Sequence, residues 1–227
     1  DFPSQMQAML TLLQQSHPDV YDQLMMDAQT IDYTKVELSS ALFENIAGEL
    51  IDIFKNQPNL AFMTGGDEVP GGEAAYITLI DFYNAINDYL NANDFTMQMW
   101  NDSIAHSEID RLNANIVISY WQQAVNGLTP DEIVASGHEI VNSSYYAAAF
   151  MLYNLTNQGA ADYFVNYLNQ TYQPNVFYQR DTNGNLGTST TSSIQSNGTT
   201  VCLWGEDSAA ITINDITSFV AQLKIPK

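Results

Sequence analysis

The chain has 227 residues, 45% of them hydrophobic and 11% aromatic, enough apolar content for one soluble domain with a full core. Its 26 acidic residues against six basic ones give a formal charge of -20, a surface that repels phosphate backbones and anionic lipid and argues against nucleic acid as a partner. No apolar run approaches the ~18 residues that a membrane helix needs, so no membrane insertion is expected, and the opening DFPSQMQAML has no basic stretch followed by an apolar one.

In chain order, the first clear helix is expected to begin at Thr34, where Thr34 and Glu37 have capping-box spacing. It continues through Leu38, Leu42, Ile46, Leu50 and Ile53 and stops near Pro58. NLAFMT then reads as a short buried strand and GGDEVPGGE as a loop. A second helix is expected over roughly Glu73 to Leu90, with Tyr76, Ile80, Tyr83 and Ile86 or Asn87 on one face. In DFTMQMW, Phe95, Met97 and Met99 alternate with polar residues, as in a strand. A short helical stretch near Ser107 to Leu112 precedes NIVISYW, whose apolar, β-branched run predicts a strand covered on both faces.

Thr129 and Pro130 open another helix, with Thr129 as the expected N-cap, and EIVNSS is a further short strand. The polar stretch 173–200 is expected to form a long loop before the last strand, TTVCLW. Within that stretch DTNGNLG resembles the start of a calcium loop, but Leu186 and Ser192 stand where such a loop needs its glycine and its bidentate Glu, so a turn is expected and no metal site. Cys202, the single cysteine, is expected to be a buried, inert thiol. The closing segment, Asp207 to Leu223, keeps helical spacing at Ile213, Ile216, Phe219, Val220 and Leu223. His106, Glu108 and Asp110, spaced by two, suit no metal-ligand pattern and read as polar surface, and the several N-x-S/T triplets are expected by chance in so Asn- and Thr-rich a chain.

Strands followed by helices without hairpin signals point to an α/β fold with parallel strands, of (β/α) barrel type. On that map Asp67-Glu68, Trp100-Asn101-Asp102, Trp121, Tyr145-Tyr146 and Trp204-Glu206 all fall just after a strand, on the face where such barrels carry their sites. Adjacent acids after Gly65 and Gly66 repel at contact distance, an arrangement packing alone seldom requires. Carboxylates together with the chain's three tryptophans suit a carbohydrate, whose hydroxyls meet acids and whose C–H face meets aromatic rings.

The segment FMTGGDEV resembles the strand-four signature of glycoside hydrolase family 20, the β-N-acetylhexosaminidases, commonly an aromatic residue, His, Ile, Gly, Gly, Asp, Glu. MWNDS, NIVISYW, VNSSYY and CLWGE are similar to later motifs of that family, in its order. The resemblance implies a (β/α)8 TIM-type barrel and a retaining mechanism in which the substrate's own 2-acetamido group is the nucleophile. It implies that Glu68 is the general acid, that Asp67 orients the acetamido group, and that Tyr146, with Tyr145 as the alternative, hydrogen-bonds the acetamido oxygen. Trp100, Trp121 and Trp204 would wall the sugar, Glu206 would accept from its hydroxyls, and Asp102 would support the loop or cap a helix. No cofactor is implied.

Met63 replaces the usual His, and Ala148 falls where many members place a sugar-binding Asp. DFPSQ resembles the end of the third strand, often Asp, any residue, Pro, Gly, His, so Ser4 and Gln5 also differ. On that alignment the chain is the C-terminal part of one catalytic domain, about strands four to eight, and its open edge calls for the preceding barrel segment or a covering partner. The implied activity is release of terminal β-linked N-acetylhexosamine from glycans, outside the cell or at its surface. The alternatives are a non-catalytic sugar-binding barrel and release of a disaccharide in the manner of a lacto-N-biosidase.

Overall fold

A computed structural model describes residues 1–121, 127–180, 183–191, 196–205 and 210–224. The elements in order are α1 (Gln7–Ser16), α2 (Pro18–Leu24), α3 (Val36–Phe54), β1 (Ala61–Met63), α4 (Glu73–Ala92), β2 (Thr96–Trp100), a 3-10 helix (His106–Arg111), β3 (Val117–Tyr120), α5 (Pro130–Ala135) and β4 (Ile140–Asn142). There follow α6 (Tyr145–Ala148), β5 (Ala149–Met151), a second 3-10 helix (Leu152–Thr156), α7 (Gln158–Gln170), β6 (Val176–Arg180), β7 (Leu186–Thr191), β8 (Cys202–Trp204) and α8 (Ile213–Val220). Two compact units divide the chain: one takes 1–118 with 132–139, the other 119–131 with 140–227.

In the first unit β1 and β2 run parallel, Ala61 opposite Thr96 and Met63 opposite Gln98, with α4 as the crossover between them. The alternation expected of β2 is present, Met97 and Met99 being fully buried. On α4, Leu79, Ile80, Tyr83, Ile86 and Leu90 are buried at three- and four-residue steps, the apolar stripe of an amphipathic helix. Phe43 of α3 anchors an aromatic cluster, edge-on to Phe2 at 5.1 Å, Phe62 at 5.7 Å and Tyr89 at 6.4 Å.

Two expectations for this unit need correction. Helix α3 starts at Val36 with no side-chain cap, because the Thr34 hydroxyl donates to the Asp32 carboxylate instead of capping the helix. β1 is not buried: it ends the sheet order among the described residues, with only Phe2 N–H reaching Thr64 O just beyond it, and Ala61 is exposed and Met63 39% exposed. Beside it runs a groove of about 390 Å3 lined mainly by apolar residues, among them Leu50, Phe54, Leu60, Phe62 and Phe95.

In the second unit, the end of β3 lies next to β4, where Ser143 N–H donates to Tyr120 O at 2.9 Å. β5 and β8 pair in parallel, with Ala149 opposite Cys202 and Met151 opposite Trp204. Phe150 stacks on Phe219 of α8 at 4.6 Å and tilts against Phe164 of α7 at 5.0 Å, so these two helices close over β5. Cys202 is half-buried rather than buried, and its burial pushes the thiol up.

The stretch expected to be a long loop is largely a hairpin. β6 and β7 are antiparallel, Phe177 opposite Thr190, and the connection turns at Asn183-Gly184, where Gly184 has φ +81°. Asn-Gly between strand-forming runs is a hairpin signal, here hidden in a polar composition. Asp181 and Ser192 lie outside the described residues. Helix α8 is shorter than expected because Thr212 and Asp215 form a reciprocal capping box that fixes its start, while 207–209 lie outside the described residues.

Asn142, fully buried, ties this unit together. Its Nδ2 donates to Pro174 O and Val176 O at 2.9 and 2.8 Å. Its backbone N–H donates to Ser196 Oγ and Gly198 O, and its Oδ1 accepts from Ser144 N–H.

Candidate active site

After β1 the chain keeps pace with β2 for two more residues: Thr64 N–H donates to Gln98 O at 2.9 Å, and Trp100 N–H donates to Gly65 O at 2.8 Å. Gly65 and Gly66 then adopt φ of +96° and +87°, which lets the backbone turn under the Tyr83 hydroxyl with no Cβ in the way. The turn delivers Asp67 inward, 9% exposed, and Glu68 outward, exposed and itself at φ +50°. A non-glycine residue in the left-handed region stores local strain, and such residues cluster at functional sites.

The loop is fastened from behind. Asp102 Oδ2 accepts Glu68 N–H at 2.8 Å, Ser103 Oγ accepts Val69 N–H at 3.1 Å, and Tyr76 Oη donates to Val69 O at 3.1 Å. Asp102 does not cap the 3-10 helix, whose N-cap is Ala105.

The two adjacent carboxyls meet different surroundings. Burial raises the Asp67 carboxyl above its ordinary value, a shift partly offset by its own backbone N–H and by Gln5. Asp67 Oδ1 is buried with no hydrogen-bond partner among the described residues, whereas Oδ2 accepts from Gln5 Nε2 at 3.4 Å. The same amide nitrogen donates to Glu68 Oε2 at 3.2 Å. Gln5 therefore bridges both acids from 62 and 63 residues away. Sequence reasoning noted Gln5 only as a departure from a motif, because nothing local ties it to residues so distant. Burial, with the nearby Asp102 and Asp67 carboxylates, holds the Tyr83 hydroxyl protonated.

Of the residues singled out from sequence, Asp67, Glu68, Trp100 and Asp102 belong to the first unit, where Asp67, Glu68 and Asp102 come together in one loop system. Trp121, Tyr145 and Trp204 belong to the second. There Tyr145 N–H donates to Trp121 O at 2.9 Å, and the two rings meet edge to face at 6.2 Å. Trp204 closes β8 half-buried, and its Nε1 is buried without a partner among the described residues. Glu206 and the Tyr146 side chain lie outside the described residues. Among the described residues no cluster of His, Cys, Asp or Glu could hold a metal ion. His106 is on the surface, its Nε2 3.2 Å from Glu132 Oε1. No helix is long and apolar enough to cross a membrane, again among the described residues.

A model of the glycosyl hydrolase family 20 catalytic domain matches residues 71–217. A lacto-N-biosidase of Bifidobacterium bifidum is 32% identical over 77 residues, which make up 33% of this chain and 7% of that protein. Among solved structures, Dispersin B is similar with a TM-score of 0.83 at 21% identity, over 97% of this chain and 67% of the other. A pneumococcal exo-β-D-N-acetylglucosaminidase with tandem catalytic modules gives 0.71 at 14% identity, over 97% and 55%. The exo-β-N-acetylglucosaminidase of Vibrio harveyi gives 0.56 at 13%, over 100% and 38%. The chain thus spans a small part of the curated relative that it matches, and the architecture is a TIM-barrel-like α/β fold similar to these enzymes.

Proposed function

The chain belongs to glycosyl hydrolase family 20, and from that membership we propose that it hydrolyses terminal β-linked N-acetylhexosamine residues of glycans with help from the substrate's own acetamido group. The observation that carries this reading is the unequal pair at the Gly65-Gly66 turn: Glu68 faces outward, while Asp67 is buried with one acceptor oxygen unfilled among the described residues. Adjacent carboxyls in unlike surroundings can take unlike roles. An N–H donor is what a buried, under-satisfied carboxylate lacks, and an acetamido group has one.

Asp67 would take the acetamido N–H, turning its carbonyl oxygen toward the anomeric carbon and balancing the positive charge that develops there. Glu68 would protonate the departing glycosidic oxygen. Tyr146, or Tyr145, would hydrogen-bond the acetamido oxygen. Trp100, Trp121 and Trp204 would pack on the sugar, and Glu206 would bind its hydroxyls. Asp102, holding Glu68 N–H, would fix the acid's backbone.

Replacing Glu68 with Gln tests the assignment: sugar binding by calorimetry is expected to persist, while turnover of a chromogenic β-N-acetylglucosaminide falls on the order of a hundredfold to ten-thousandfold. Unchanged turnover would refute the role of Glu68, and a wild-type protein that binds sugar without turnover would establish a binding module.

Release of a disaccharide is a second reading, favoured by the 32% identity to a lacto-N-biosidase over 77 residues. We further propose that the chain is the C-terminal part of a barrel whose preceding strands cover the exposed flank of β1, a reading supported by the apolar groove alongside it. A glycan substrate fits action outside the cell or at its surface.

A further inference from the structure

Glu73, the first residue of α4, gives its carboxylate to another loop. Its Oε2 accepts His106 N–H at 3.0 Å, and its Oε1 accepts both Ser107 N–H at 2.8 Å and the Ser107 hydroxyl at 2.6 Å. Those N–H groups open the first 3-10 helix, whose N-cap residue, Ala105, has no side-chain oxygen to offer them. The Ser107 hydroxyl and N–H, followed by His106 N–H, hold the Glu73 carboxyl below its ordinary value and so keep the acceptor charged. Resting on the reading of Glu68 as proton donor, we propose that Glu73 is a positioning residue for that acid, acting across the loop that carries Asp102 and Ser103.

Two clasps of opposite sense join the loops after β1 and β2. At one, Asp102 Oδ2 and Ser103 Oγ accept the N–H groups of Glu68 and Val69; at the other, Glu73 accepts those of His106 and Ser107. The chain between the clasps is unlike on the two sides. Ile104 and Ala105, on the β2 side, are buried and packed in place. On the β1 side stand Pro70, Gly71 and Gly72, with the glycines at φ +138° and +145° and no side chains to hold them. The covalent route from α4 back to Glu68 is therefore the pliant one, and the firm one runs through Glu73, residues 104–107 and Asp102. Tyr76, also on α4, fixes the Val69 carbonyl, which leaves the N–H groups of Glu68 and Val69 to the clasp. α4 itself is anchored by its buried stripe, so Glu73 ties the acid's backbone to a rigid element. Placement at this level matters because a shift of about 1 Å in a reacting group costs about a hundredfold in rate.

The test uses Glu73→Gln and Asp102→Ala, alone and together, in the full polypeptide with a chromogenic β-N-acetylglucosaminide. Glu73→Gln keeps the shape of the side chain but turns an amide NH2 toward one of its N–H donors. Its kcat is expected to fall about tenfold with KM held within about twofold, and hydrogen exchange at the Glu68 and Val69 amides to quicken. Because both residues act on one chain of contacts, the double variant is expected to lose less in kcat than the product of the two single losses. An unchanged kcat with unchanged exchange, a loss confined to KM, or single losses that multiply overturns this inference and leaves the role of Glu68 standing. Wild-type protein that hydrolyses nothing overturns the reading of Glu68 and this inference with it.

Discussion

Gly66→Ala puts a methyl group where the turn has no room for one. A Cβ built on Gly66 stands 2.8 Å from Tyr83 Oη, 3.3 Å from its Cζ and 3.4 Å from Met99 Cε, with the backbone at φ +87°. The left-handed backbone costs an alanine about 1–2 kcal/mol. Forcing the methyl against a fully buried ring adds about 1–3 kcal/mol of overpacking. The smaller entropy of the unfolded alanine chain offsets about 0.4–1 kcal/mol. The sum is a destabilisation of about 1–5 kcal/mol.

Tyr83→Phe separates the contributions, because it deletes the atom of closest approach and leaves φ unchanged. The Tyr83 hydroxyl has no partner among the described residues, so its loss from the parent protein is expected to be neutral or mildly stabilising. In the Gly66→Ala background the same change is expected to recover about 1–2 kcal/mol of the overpacking, leaving the backbone cost and the 3.3 Å approach to the ring carbon Cζ. Urea unfolding of the four proteins of this double-mutant cycle gives the coupling directly. A Gly66→Ala protein within about 0.5 kcal/mol of the parent, or a cycle with no coupling, would refute the reasoning about this turn.

Two further outcomes are expected. Asp67 has its folded carboxyl raised above the ordinary value of 3.8 by burial. The folded state then holds this proton after the unfolded state has released it, so stability falls as pH rises from the ordinary value through the folded one. Asp67→Asn should remove that fall and be the more stable protein at neutral pH while losing turnover; urea midpoints at a series of pH values check it, and parallel profiles for the two proteins would contradict it. At the edge strand, the chain separated from any covering partner is expected to self-associate through β1 and its groove, and Met63→Lys to reduce that association in sedimentation. A monodisperse wild-type monomer at high concentration would contradict this.

The elements most legible in the sequence are those with sustained periodicity. The 20-residue α4 and the alternating β2 expose one face each to a core, and the pattern of Ile80, Tyr83 and Ile86, or of Met97 and Met99, records it. β5 was not legible: three residues are too few to show a period, and parallel pairing with β8 places its partner more than fifty residues later. The β6–β7 hairpin carried its signal at Asn183-Gly184, but the Ser and Thr run of β7 masked the alternation.

At the site, the glycines before Asp67 marked the turn, yet they gave no sign that the left-handed conformation extends to Glu68. Nor could local sequence show Gln5 reaching both acids, since a contact across more than sixty residues leaves no periodic trace.

Asn142 is a point at which distant stretches of the second unit are joined. Its bonds reach residues 32, 34 and 54 positions ahead in the chain, so each requires a long loop to close before it returns any stabilisation. The side-chain amide answers the start of β6 and the peptide N–H answers the strip around Ser196, so two distant segments are held to the end of β4 by different groups of one residue. Loss of that side chain would therefore release the start of β6 from β4 while the peptide N–H kept its hold on the strip around Ser196.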